Sequence, residues 1–215
     1  MRPNHLRTIL ALSIPLSLML QACAPVVLGG AVVGTMVAAD RRTSGSQLED
    51  EGIELRAGSR LRDALGDRAH VNVSSYNRQA LLTGEVANAQ DRQTAEQIVA
   101  KVDNVRATVN ELAVLGTTTL SQRANDAYIT SKVKASLIDA KDLYAAAFKV
   151  TTERGVVYLM GRVTQREAQR ATEIARSIDG VQKVVRVLEP ITEDELRNLQ
   201  PPARPASAPL PQRAP

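Results

Sequence analysis

Gly155-Val156-Val157-Tyr158-Leu159-Met160-Gly161-Arg162-Val163 decides how this chain is read. Val156, Tyr158 and Met160 alternate with Val157 and Leu159, and nearly every position is apolar or β-branched. The stretch therefore reads as one β-strand. A strand apolar on both sides is buried on at least one face, and Gly161 lets the chain bend toward a following helix. The stretch also recurs: Gln79-Ala80-Leu81-Leu82-Thr83-Gly84-Glu85-Val86 is a weaker copy, 77 residues earlier.

The repeat is longer than the strand. Sliding residues 93–112 by 76 positions brings Gln93, Ala95, Ile98, Asp103, Val105, Val109 and Leu112 onto Gln169, Ala171, Ile174, Asp179, Val181, Val185 and Leu188. Upstream, Ser59, Leu61 and Leu65 match Ser131, Val133 and Leu137 at an offset of 72, which predicts about five extra residues in the second copy, around 139–145.

Each copy reads as helix, strand, strand, helix, strand. In the second copy, Ile129, Val133 and Leu137 line one face of a helix of about a dozen residues. A strand over 148–152 turns at Glu153-Arg154-Gly155 into the organising strand, making a hairpin. A helix over 165–178 turns Ala168, Ala171, Ile174, Ala175 and Ile178 inward and ends at Gly180. A last strand over 181–188 closes the unit. The predicted fold class is α+β: two tandem domains, 45–116 and 120–191, each with two helices packed on one face of a small three-stranded mixed sheet. Gly84 and Gly161 close equivalent strands and Gly180 stops a helix, so all three read as structural.

Residues 1–22 read as a lipoprotein signal peptide. Arg2 and Arg7 form a positive n-region, and residues 9–20 an apolar stretch too short to span a bilayer comfortably. Leu20-Gln21-Ala22-Cys23 looks like a bacterial lipobox, with Cys23 as the lipidated (palmitate-bearing) N-terminus. The alternative is an ordinary secretory peptide with a chance cysteine. Cys23 is the single cysteine, an odd one that lipidation explains, and no disulfide within the chain is possible. Residues 23–44 form the lipidated N-terminus and a Gly/Ala-rich tether. Gly30 and Gly34 there have the spacing of a weak helix-dimer motif. Residues 192–215 are read as a Pro-rich disordered tail, either solvated or bound to a partner or peptidoglycan.

Charge is uneven. Residues 45–116 carry 8 Lys/Arg against 11 Asp/Glu, and residues 120–191 carry 12 against 8. The second domain is basic and suits an anionic surface; it also suits the acidic face of the first domain. Catalysis finds little support. His5 leaves with the signal peptide, and His70, just before a strand, reads as a surface or turn residue. The sequence shows no His/Cys cluster for a transition metal, no nucleophile elbow and no phosphate-cradling glycine loop. Ser74 and Ser75 lack a candidate base nearby in sequence. Asp103 and Asp179, at equivalent repeat positions, suit turn hydrogen bonds. No catalytic residue, metal, cofactor, nucleic acid or small-molecule substrate is expected.

The run 155–163, together with Ile178-Asp179-Gly180-Val181, Val184 and Val185, resembles the BON domain, and the resemblance covers about 50–115 and 124–191. With the N-terminal features the chain resembles the dual-BON outer-membrane lipoproteins. Asn125-Asp126-Ala127-Tyr128-Ile129-Thr130-Ser131-Lys132-Val133-Lys134 is particularly close to them, although this chain has Tyr128 where the family has a tryptophan. The resemblance implies a non-enzymatic, periplasm-facing protein that associates with anionic phospholipid and the division site and supports envelope integrity. Ala24, in place of an inner-membrane retention aspartate, favours the outer membrane.

The expected lipid-facing surface is the outward side of the first helix of the second domain: Tyr128, Lys132, Lys134, Ala135, Ser136 and Ile138. A tyrosine ring sits at head-group depth and amines meet phosphate. Lys141, Leu143 and Tyr144 in the added loop widen that face. At the 72-residue offset the first domain has Arg56 and Arg60 in place of Tyr128 and Lys132. Two alternatives remain: a solvated face with Tyr128 packed on a neighbour, and a periplasmic scaffold that binds an envelope protein such as the outer-membrane assembly machinery.

Overall fold

The computed structural model describes residues 40–199. The expected signal peptide, Cys23, the Gly/Ala-rich tether through 39 and the tail from 200 lie outside the described residues.

The first domain contains α1 (Ser44–Leu65), β1 (Ala69–Tyr76), β2 (Gln79–Val86), α2 (Ala89–Ala100), β3 (Ala107–Asn110) and β4 (Ala113–Val114). The second contains α3 (Leu120–Asp139), β5 (Phe148–Glu153), β6 (Val156–Val163), α4 (Gln165–Arg176) and β7 (Lys183–Pro190). Polar caps start the helices. The Thr43 and Thr119 side chains accept from backbone N–H groups of α1 and α3, and Thr164 with Glu167 forms a reciprocal capping box on α4.

In both domains the hairpin is antiparallel and the last strand joins parallel, so the sheets are mixed. The organising strand is β6, the centre of its sheet. In the first domain the corresponding last strand is broken, and β3 and β4 each pair with β2. At the break the Asn110 side-chain oxygen accepts from Leu112 N–H at 3.2 Å, a local bond that competes with the ladder. Ile53, Ala57, Leu61 and Val99 pack on Ala80, Leu82 and Val86 in the first core; Ile129, Val133, Leu137 and Ala171 pack on Val150, Val157 and Leu159 in the second.

Two-sided apolarity of β6 has a specific cause. Val157 and Leu159 face the helices, while Tyr158 and Met160 face away and pack with Val187, Tyr76 and Leu81. The two sheets are thus back to back, with a helix layer outside each. Burial in this seam pushes the Tyr76 and Tyr158 hydroxyls up to about 12, so both rings stay neutral. Across the seam Ser74 Oγ meets Thr151 Oγ1 at 3.2 Å, Asn77 Nδ2 donates to Glu189 Oε2 at 2.7 Å, and Lys149 pairs with Glu54.

Three expectations are corrected. The first helices align at an offset of 76, not 72. Asp50 and Asp126 do the same work: Asp50 accepts from Asn77 and Arg78 N–H, and Asp126 from Arg154 and Gly155 N–H. Likewise Arg56 donates to Asp103 O at 3.3 Å and Lys132 to Asp179 O at 3.4 Å. A slip of one helical turn preserves apolar matches, because an apolar stripe repeats every three to four residues. Helix α1 runs two residues further, to Leu65, and because the hairpin turns align at an offset of 77 the second copy has one extra residue there, not about five. Gly52 and Arg56, not Arg56 and Arg60, therefore stand in place of Tyr128 and Lys132.

Second, both first helices are longer than a dozen residues, at 22 and 20. Third, the segment expected to be disordered from 192 begins with a helix, α5 (Glu193–Leu199), capped by Thr192 and Glu195 and anchored by buried Leu196.

Candidate functional site

Helical spacing builds the outward face of α3. Asp126, Ile129, Val133 and Leu137 point inward and are buried, which turns Tyr128 and Ile138 out, 63% and 71% exposed. Lys134 and Ala135 are exposed with them, whereas Lys132 and Ser136 are half-buried on the flanks. The Lys132 ammonium lies 5.4 Å from the Tyr128 ring centroid and donates to Asp179 O, a cation–π arrangement that steadies the exposed ring. No carboxylate occurs from 127 to 138.

In the following loop, Lys141 and Tyr144 are exposed, while Leu143 packs on the core. Sequence reasoning missed Leu120, 82% exposed at the start of α3. It lies 18 residues before Ile138, about five turns, and so on the same side of the helix. Its signal was available only once the helix start was known.

The expected structural glycines have different reasons. Gly84 and Gly180 have φ of +108° and +94°, a region costly for other residues. Gly161 has no such φ; a Cβ there would lie 2.4 Å from Ala147 O.

Two clusters outside α3 join residues far apart in sequence. Arg41 and Arg42, near the end of the expected 23–44 tether, dock at one end of the seam. Arg41 pairs with Glu167, and Arg42 pairs with Asp50 and lies 4.2 Å from the Tyr76 ring centroid. At the other end His70 lies beside Glu85 and Glu153. His70 is thus in the seam, not in a turn. Among the described residues, no helix is long and apolar enough to cross a membrane.

The BON domain family matches residues 49–116 and 125–189, which are the two helix–hairpin–helix–strand units. The chain belongs to the BON-domain family, as a dual-BON outer-membrane lipoprotein of the DolP type. It is 36% identical to "Outer membrane lipoprotein DolP" of Haemophilus influenzae over 84% of this chain and 94% of that one. It is 33% identical to a "21 kDa hemolysin" of Actinobacillus pleuropneumoniae over 69% of this chain and 78% of that one. Osmotically-inducible protein Y of Escherichia coli is 27% identical over 70% and 77%.

Proposed function

We propose that the protein binds anionic phospholipid membrane through its second BON domain and supports envelope integrity without catalysing a reaction, acting in part at the division site. Tyr128, Lys132, Lys134, Ala135, Ser136 and Ile138 are the contact surface. The observation that carries this reading is the exposed Tyr128 ring beside Lys132, on a helix stretch without a carboxylate. The ring suits head-group depth, and each lysine near an anionic surface contributes about 1 kcal/mol. Acyl chains on Cys23 supply the stable anchor, and α3 then sets how the domains lie on the bilayer.

The test is co-sedimentation of residues 40–199 with vesicles of anionic or neutral phospholipid. Tyr128→Glu with Lys132→Glu is expected to abolish binding to anionic vesicles and leave the circular dichroism spectrum unchanged. A folded double mutant that binds like the parent would place the surface elsewhere. A second reading, a scaffold for an envelope protein such as the assembly machinery, is favoured by Leu48 and Leu55, both exposed and seven residues apart on α1. That reading expects no discrimination between anionic and neutral vesicles.

A further inference from the structure

The two ends of the seam are related by the repeat but are not filled alike. Arg42, one residue before the α1 cap, brings a guanidinium to the Tyr76 end. The residue 76 further on, one before the α3 cap, is Thr118. It is uncharged and donates to Glu85 Oε2 from its N–H at 3.1 Å and its hydroxyl at 3.2 Å. The carboxylates at this end receive no cation from that position.

Two of those carboxylates are deeply buried: Glu85 is fully enclosed and Glu153 is 6% exposed. His70 stands directly opposite Glu85 in the β1–β2 register. Its Nδ1 lies 3.4 Å from Glu85 Oε2, and that nitrogen is buried without a hydrogen-bond partner. Gly84 permits the approach, since a Cβ there would strike His70 O. One donor atom from each of His70, Glu85 and Glu153 lies within 4.8 Å of the other two.

The charges around the cluster are Glu85, Glu153 and Asp126 against Arg154, 3.4 Å from Glu85, and Arg123. One negative charge is left over. Buried charge of this kind must be paired, protonated or bound to a metal.

We propose that His70, Glu85 and Glu153 bind one divalent transition-metal ion, of the zinc or manganese class, that pins the two BON domains together. One imidazole nitrogen with two carboxylate oxygens suits such an ion better than calcium, which takes oxygen ligands alone. Asn72 Nδ2 donates to Glu153 Oε2 at 2.9 Å, so Asn72 and Thr118 each orient one carboxylate, the usual support for metal ligands. A cleft of about 430 Å³ lined by His70, Asn72, Arg123 and Glu153 gives access for the ion and a water ligand. The ligands come from both domains, β1 and β2 on one side and β5 on the other, so the ion crosses the seam.

The test uses full-length protein in detergent, stripped with a chelator and titrated calorimetrically with ZnCl2, MnCl2 and MgCl2. His70 is the only histidine after the signal peptide, so the visible absorption of added Co2+ also reports on this site. We expect one Zn2+ or Mn2+ per chain at micromolar Kd or tighter, with no Mg2+ binding in that range and a higher Tm. Glu153→Gln and His70→Ala should each weaken binding about 100-fold, and Asn72→Ala about 10-fold. Glu153→Gln preserves shape, so it stands as the test if His70→Ala does not fold. Absence of one-to-one binding up to millimolar metal, or parental affinity in the folded ligand variants, overturns the proposal. Vesicle binding by α3 is independent of either outcome.

Discussion

Arg41 and Glu167 are 126 residues apart and form a two-pronged ion pair, Nη1 to Oε2 at 2.8 Å and Nη2 to Oε1 at 2.6 Å. Arg41 also donates to Arg162 O at 2.9 Å. The two side chains are 5% and 1% exposed. The residues just before the first domain are therefore locked onto the second.

Breaking that pair strands a buried carboxylate. Arg41→Ala is expected to cost about 3 kcal/mol, the low end for a buried pair that loses one partner, because Thr164 still donates to Glu167. Urea unfolding of residues 40–199 measures it, and a loss under about 1 kcal/mol would mean the pair is no stronger than a surface one.

The same pair sets a pH dependence. Burial alone would raise the Glu167 pKa, but the Arg41 hydrogen bonds and charge and the Thr164 donors outweigh it and hold the carboxyl below its ordinary 4.5. A depressed folded pKa contributes stability that is complete above the unfolded value and lost as pH falls through the folded one. Stability should fall below pH 4.5, and Arg41→Ala should flatten that part of the profile. Parallel profiles for parent and variant would assign the acid loss to other carboxylates.

Both hairpins turn on two residues with positive φ: Asn77 at 49° and Arg78 at 66°, then Arg154 at 52° and Gly155 at 72°. Positive φ at both central residues is the turn that matches strand twist, but it is unfavourable for arginine. Asp50 and Asp126 hold these turns through paired N–H bonds of 2.7–2.8 Å. Hydrogen bonds to a charged group are worth about 1.5–3 kcal/mol each. Asp126→Ala should therefore cost about 3 kcal/mol. Asp50→Ala should cost more, since Asp50 also binds Ser75 Oγ and Arg42. The order of the two Tm values checks the assignment.

Gly161 and Gly180 should respond differently to asparagine, which tolerates the left-handed region. Gly180→Asn should be mild, with only the Ile129 side chain, 3.0 Å from the added Cβ, having to shift. Gly161→Asn drives a Cβ against the Ala147 carbonyl and should cost about 1–3 kcal/mol. Equal melting temperatures for the two variants would contradict this distinction.

Cys23→Ser should end acyl labelling and release the protein from the outer membrane, as uncleaved precursor or soluble chain. Continued outer-membrane fractionation of an unlabelled protein would show that something other than acyl chains anchors it.

The elements of each domain were legible because their signals are local. The alternation over 155–163, the Ile129–Val133–Leu137 stripe and Gly180 after a helix each follow from a period of two or 3.6 residues or from one backbone requirement. The outward position of Tyr128 and Ile138 followed from the same stripe. The repeat register of α1 was not legible, since an apolar stripe matches itself one turn out of step. Helix α5 was obscured by the prolines beyond it, although Thr192 and Glu195 have capping-box spacing.

By itself the sequence determined the two units, their strand and helix order, and which helix residues the second core uses, because burial of one face imposes a period on the chain. Only the tertiary structure decided what lies between the units. Arg41 on Glu167, Asn72 on Glu153 and Asn77 on Glu189 follow from two sheets packing back to back. Contacts across that seam join residues whose spacing in the chain repeats with no period, so no local pattern records them.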